Sequence, residues 1–261
     1  MKRVSLWVCF IAAIFFIPAC QEDLQEPEQD TVPEEVLSQL QEMFFDTEGV
    51  ERVPNGYLVE GDIILTDEAL AHMYERFQNR TATEEQFHTY NLVTTPRVIT
   101  VSGSGLPTII SQGLDLAIEN FNNENLTLSM SRVGSGGDIN VNWDPSGNGG
   151  VAGFPTSGGD PFSSVTIFGL TTFPLDVVEH VVTHELGHCV GFRHTNWFRR
   201  NCSGPKKERR DPEGAVGIPG TPTGTKGNSQ IDFDSIMIAC FSGNEDGEFS
   251  NFDKIALDYL Y

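Results

Sequence analysis

Residues 91–261 predict an α+β fold, and three observations carry that reading. Apolar runs with strand periodicity cluster between two long helical patterns, a third helical pattern closes the chain, and most of the net negative charge lies ahead of residue 91. In order, Arg97 to Val101 reads as a strand, and Pro107 to Asn123 as a helix with Ile110, Leu114, Ala117, Ile118 and Phe121 on one face. Leu126 to Val133 alternates as a strand, with Leu128 and Met130 on one side, and Asp138 to Trp143 alternates through Ile139, Val141 and Trp143. Val165 to Phe168 is a fourth apolar run. A second helix begins near Pro174 or Leu175, with Asp176 and Glu179 at the end where the helix dipole favours acids. The last, Ser250 to Tyr261, opens on Ser250 with Asp253 three residues on, the spacing of a capping box.

The charge divides the chain of 261 residues. Its net charge of -21 disfavours nucleic acid and anionic membrane surfaces as partners. Residues 1–20 hold two basic residues and no acids, residues 21–90 hold 18 acidic and three basic, and residues 91–261 hold 19 acidic and 11 basic. The net negative charge therefore belongs mainly to a front segment, -15 over residues 21–90 against -8 over residues 91–261, with a boundary near residue 90. At 39%, the apolar residues suffice for a packed core.

Lys2 and Arg3 precede an uncharged apolar run from Val4 to Ile17, which is too short to span a bilayer and reads as an export signal. Ile17-Pro18-Ala19-Cys20 resembles a bacterial lipobox, although Pro18 departs from the small or hydroxyl residue usual there. The resemblance implies lipidation of Cys20; the alternative is an ordinary cleaved signal with Cys20 incidental. Residues 21–35 are acidic, contain Pro27 and Pro33, and predict a disordered tether similar to those of surface lipoproteins in some Gram-negative bacteria. Membrane contact is then expected only through the lipid, at an outer-membrane or cell surface. Beyond the signal, Cys189, Cys202 and Cys240 permit one disulfide. Cys202–Cys240 is favoured because Cys189 falls on the buried face of a helix, and Cys189 stays open as an alternative partner.

The chemistry is concentrated in His184-Glu185-Leu186-Gly187-His188-Cys189-Val190-Gly191-Phe192-Arg193-His194. Helical residues four apart share a face, so His184 and His188 can aim at one metal ion, with Glu185 facing the same cleft. Gly191 lets the chain leave the helix sharply and bring His194 round as a third ligand. Three imidazoles leave a fourth position on a tetrahedral zinc ion for water. A helix with surface histidines is the plain alternative. His180, one turn earlier, reads as a supporting or surface residue.

This HExxHxxGxxH pattern resembles the metzincin zinc metallopeptidases. The resemblance implies an α+β catalytic domain with a twisted mixed sheet, an active-site helix, and a small lower subdomain closed by a C-terminal helix. Thr195 stands where many metzincins carry an acid, so their specificity rules do not transfer. Ser235-Ile236-Met237 resembles the methionine turn beneath the metal, whereas in isolation Met237 reads as core filler; at the position of a further tyrosine ligand the chain has Ala239. Residues 91–261 are most similar to the bacterial HEIGH-type dual-action metallopeptidases, with Leu186 in place of their Ile. That implies a monomeric zinc endopeptidase with one catalytic ion, a protein or peptide substrate, and Glu185 as general base and acid. The alternative is a noncatalytic surface lipoprotein stabilised by zinc.

Residues 36–90 contain two helical patterns, Val36, Leu37, Leu40, Met43 and Phe44, then Leu70, Met73, Tyr74 and Phe77. Between them Glu60-Gly61-Asp62-Ile63 resembles the prosegment motif of astacin-like metzincins, which implies that Asp62 ligates zinc in a latent zymogen. The alternative is an Asp62 exposed on a strand after a glycine turn. Cleavage of this prosegment would release the catalytic domain from its lipid. Residues 142–160 are rich in Gly and Asn, and Asp144 and Asp160 offer hard oxygens to a candidate structural calcium site, without EF-hand spacing. The loop from Arg199 to Gln230, with Lys206, Lys207, Arg209 and Arg210, reads as a solvated loop bordering the cleft.

Overall fold

The computed structural model describes residues 31–43, 45–78, 87–196, 216–222, 231–240 and 242–261. The export signal, Cys20, most of the acidic tether, Cys202 and the basic cluster of residues 206–210 lie outside them. Helix α1 (Glu34–Glu42) carries Glu34 and Glu35 in its first turn and buries Leu40. Three short antiparallel strands follow: β1 (Glu51–Val53), β2 (Gly56–Val59) and β3 (Ile63–Thr66). Their period of two sends Tyr57, Val59, Ile63 and Leu65 inward. Helix α2 (Asp67–Gln78) starts directly from β3, where Thr66 Oγ1 accepts the Ala69 N–H at 3.0 Å. Leu40, Met43, Phe45, Leu70 and Met73 close over these strands as a small second core.

The larger unit begins with β4 (Arg97–Ser102), followed by α3 (Thr108–Asn123), β5 (Leu128–Val133), β6 (Ile139–Asp144), β7 (Gly149–Gly153) and β8 (Ser164–Phe168). Strands β4 and β5 pair in parallel, as a crossover through α3 requires, and β6 and β8 extend the parallel set. Only β7 is reversed against β8. Its far edge takes β3 in parallel register, Ile63 beside Ala152 and Ile64 beside Gly153. The result is a mixed eight-stranded sheet, β1-β2-β3-β7-β8-β6-β4-β5, into which the front segment is woven. Residues 31–261 form one compact unit.

Helix α4 (Leu175–Val190) packs against α3 and the sheet with residues 177 to 190 all buried. Gly113 permits the approach of the two helices, because a β-carbon there would overlap Val178. The closing helix α5 (Asn251–Leu260) has the full capping box: Ser250 Oγ accepts the Asp253 N–H and Asp253 accepts the Ser250 N–H, each at 3.1 Å. Beyond it the Tyr261 hydroxyl donates to the Val190 carbonyl, tying the chain end to the end of α4.

The Gly-rich stretch 149–153, which is not among the strands read from the sequence, is a strand; with only Val151 and Ala152 bearing side chains it carries too little period to read, and its glycines admit close neighbours. At the candidate calcium residues, Asp144 Oδ1 accepts from the Ser146 backbone and hydroxyl, while Asp160 Oδ1 pairs with Arg97 at 2.7 Å. Cys189 is a buried free thiol, and Cys240 is disulfide-bonded to a partner outside the described residues. No described helix is long and apolar enough to cross a membrane.

Candidate metal centre

His184 and His188 project from the same face of α4, and two backbone carbonyls fix their rings. His184 Nδ1 lies 2.7 Å from the Ile236 carbonyl, and His188 Nδ1 lies 2.7 Å from that of Phe192. A carbonyl can only accept, so each Nδ1 carries the proton and each Nε2 presents a lone pair. Gly191, at φ 114, ends the helix in the left-handed region that a side chain disfavours, and its N–H returns to the Gly187 and His188 carbonyls. The sharp exit brings His194 Nε2 to 3.2 Å from the Nε2 atoms of both other histidines.

Three nitrogens 2.0–2.1 Å from a tetrahedral ion would be about 3.3 Å apart, close to this spacing. Three facing lone pairs repel one another unless a cation lies between them, so the residues fit a metal ion. Asp62 joins them, with Oδ2 3.0 Å from His194 Nε2, and the ligand atoms of Asp62, His184, His188 and His194 all lie within 4.8 Å of one another. Asp62 is held there because the Ala152 N–H donates to its carbonyl at 2.8 Å as β3 meets β7.

Glu185 sits beside the ligands, 2% exposed, against Gly150, where a β-carbon would overlap its carboxylate. Burial pushes the Glu185 carboxyl well above its ordinary range, and the charge of Asp62 pushes the same way. Its Oε2 has no hydrogen-bond partner among the described residues. A cavity of about 300 Å³ opens here, lined in part by Asp62, Gly150, His180, His184, Glu185 and Ala239. His180 is buried 3.9 Å from Glu245, away from the ligand set, and burial lowers its pKa.

Met237 packs against the helix that carries two of the histidines. Its sulfur abuts α4 at Gly187, where a β-carbon would overlap it, and its carbonyl accepts the Thr195 N–H at 2.9 Å. The turn is fixed by buried Asp253, which accepts from Ser235 Oγ at 2.6 Å and from the Ile236 N–H at 2.8 Å. Asp253 thus orients the carbonyl that orients His184. Burial raises the Asp253 carboxyl to about 6 in spite of those hydrogen bonds.

The sequence reading missed two residues. Glu60 is buried, with Oε2 3.1 Å from His194 Nδ1, and Arg193 is fully buried with its guanidinium 4.0 Å above the Phe45 ring and 3.6 Å from Glu60 Oε1. A second acid two residues from Asp62, inside an otherwise apolar run, was the available signal for Glu60.

A helix bearing two histidines and a glutamate, and a glycine exit to a third histidine that meets them, are the parts of a metallopeptidase centre. The model of the dual-action HEIGH metallo-peptidase family matches residues 57–261, and the chain belongs to that family. Two solved structures of myroilysin are similar: one at 19% identity and TM-score 0.41, covering 64% of this chain and 93% of that one, the other at 20% and 0.43, covering 65% and 86%. No curated protein matches.

Proposed function

We propose that the protein is a latent zinc endopeptidase of metzincin type. The observation that carries this reading is the convergence of three imidazoles, with Nε2 of His184 and of His188 each 3.2 Å from that of His194 and each ring held through Nδ1, together with Glu185 beside them and the Asp62 carboxylate from the front segment within reach of the same point. His184, His188 and His194 would hold the ion. Bound there, zinc would lower the pKa of a coordinated water and polarise the scissile carbonyl. Glu185 would accept a proton from the attacking water and deliver it to the leaving amine.

Asp62 stands where that water belongs, and β3 covers the edge of β7 on which an extended peptide could add as a strand. Both features support latency in the intact chain. Phe87 to Thr89 belong with the site, since the Phe87 carbonyl accepts the Arg193 N–H and Thr89 N–H donates to the Gly191 carbonyl. A cut between Gln78 and Phe87 would free the catalytic region while keeping those bonds. Under the lipid-anchor reading of Cys20, the same cut would release it from a membrane surface.

Zinc content and chelator-sensitive casein hydrolysis test this together, on the full mature chain and on chain cut ahead of Phe87. The expected result is one zinc per chain in both and hydrolysis only after cleavage. A cleaved, zinc-loaded protein unable to hydrolyse any protein or peptide would sink the proposal.

A further inference from the structure

Glu60 and Gly61 are consecutive residues in the left-handed region, at φ 61 and 87. For a glutamate this conformation is uncommon and costs energy, so the surrounding structure must hold it. Its effect is to turn the chain so that two carboxylates two residues apart grip one ring from opposite sides. Glu60 Oε2 is 3.1 Å from His194 Nδ1, while Asp62 Oδ2 is 3.0 Å from His194 Nε2. The other two histidines rest on neutral backbone carbonyls at the same atom. His194 alone has a carboxylate there, and the front segment supplies it. Glu60 is placed by the Asp46 N–H, which donates to its Oε1 at 3.1 Å, and by Arg193 on the same oxygen's side.

We infer that Glu60 is a positioning residue through which the front segment strengthens metal retention. Accepting the Nδ1–H of His194, it fixes the tautomer, aims Nε2 inward and makes that nitrogen a better donor. The front segment therefore does two separate things to one ligand: Asp62 fills the open position and Glu60 tightens the ligand from behind. Its removal takes both carboxylates away, so the freed catalytic region holds its ion less firmly than the latent chain. This rests on the metal-holding reading of the three histidines, and does not require that Asp62 confer latency.

The test measures zinc release from the full mature chain to a chromogenic chelator, for wild type, Glu60→Gln, Glu60→Ala and Asp67→Ala. Glu60→Ala should release zinc about 10- to 100-fold faster than wild type. Glu60→Gln keeps the shape and an accepting oxygen but loses the charge, and should fall between them. Asp67→Ala breaks an exposed ion pair with Arg52 in the same front segment without touching Glu60 or His194, and should stay near the wild-type rate. With cobalt in place of zinc, the ligand-field bands should shift in both Glu60 variants and not in Asp67→Ala. Wild-type release from folded Glu60→Gln, or equal acceleration by Asp67→Ala and Glu60→Ala, overturns the inference. Should Glu60→Ala fail to fold, the isosteric Glu60→Gln decides. Absence of zinc from the wild-type chain would instead count against the site reading itself.

Discussion

The front region and the region after residue 87 each have an apolar core, and the two are held very differently. Behind the metal centre, α3 and α4 pack face to face on a sheet whose strands β4 and β5 pair over six residues. In front, a smaller cluster around Leu40, Met43, Phe45, Leu65 and Met73 gathers on a three-stranded meander that joins the main sheet through only two residue pairs. It also borrows Phe154, whose ring packs on Phe45 at 6.4 Å and edge-on to His188 at 5.7 Å. A small core with a short ladder is the part whose departure disturbs least of the rest. The difference teaches that the carboxylates reaching the metal centre, Asp62 and Glu60, come from the more weakly anchored region, whereas the three histidines and Glu185 come from the firmly buried one.

Four experiments would break or sharpen that contrast. The largest effect is expected from Glu185→Gln in chain freed of its front region: loss of about 10²- to 10⁴-fold in casein hydrolysis with zinc content unchanged. Next, Asp62→Ala in the full chain should raise hydrolysis, on the order of a hundredfold over the intact wild type, by reopening the fourth position. An inactive, folded, zinc-loaded Asp62→Ala protein would remove Asp62 from the latency argument.

Matched truncations compare the cores directly. Phe45→Ala and Phe121→Ala each remove a fully buried ring and should each cost about 3–5 kcal/mol. In the front core the loss should appear as protease sensitivity ahead of Phe87 and leaking activity. In the main core it should appear as a lower global unfolding midpoint with no gain in activity. Identical behaviour of the two variants would mean the regions unfold as one.

The smallest effect is pH-dependent. The folded pKa of Asp253, about 6, lies above its unfolded value near 3.8, so the folded state binds more protons between them. The contribution of this group to stability is fully present below the unfolded pKa and is lost as pH rises through about 6. The shift corresponds to roughly 3 kcal/mol. In urea titrations, the stability of wild type relative to Asp253→Asn should therefore increase as pH falls from 7 to 4; a gap independent of pH would refute the assignment.

Much of this was legible in the chain. Helix α3 was bounded by Pro107 and by the apolar face from Ile110 to Phe121, and α4 began where Pro174 and Leu175 indicated, because local periodicity and breakers set those ends. His184 and His188 are four apart on a helix and must share a face whatever surrounds them. The weak points were residues whose meaning is not local. Gly149 to Gly153 has no periodicity, and only its neighbours β3 and β8 make it a strand. Arg193 read as one more charge in a motif, but it is buried between Phe45 and Glu60, residues well over a hundred positions away.

The sequence by itself determined the family, the three imidazoles, the carboxylate beside them and the two-part division of charge, since spacing on one helix and a glycine exit need no distant partner. Only the tertiary structure decided which nitrogen of each histidine faces the centre, that Asp62 reaches it, and that Glu60 stands behind His194. Those depend on Ile236, Phe192 and β7 meeting across the fold, and hydrogen bonds between segments far apart in sequence leave no periodic trace in the chain.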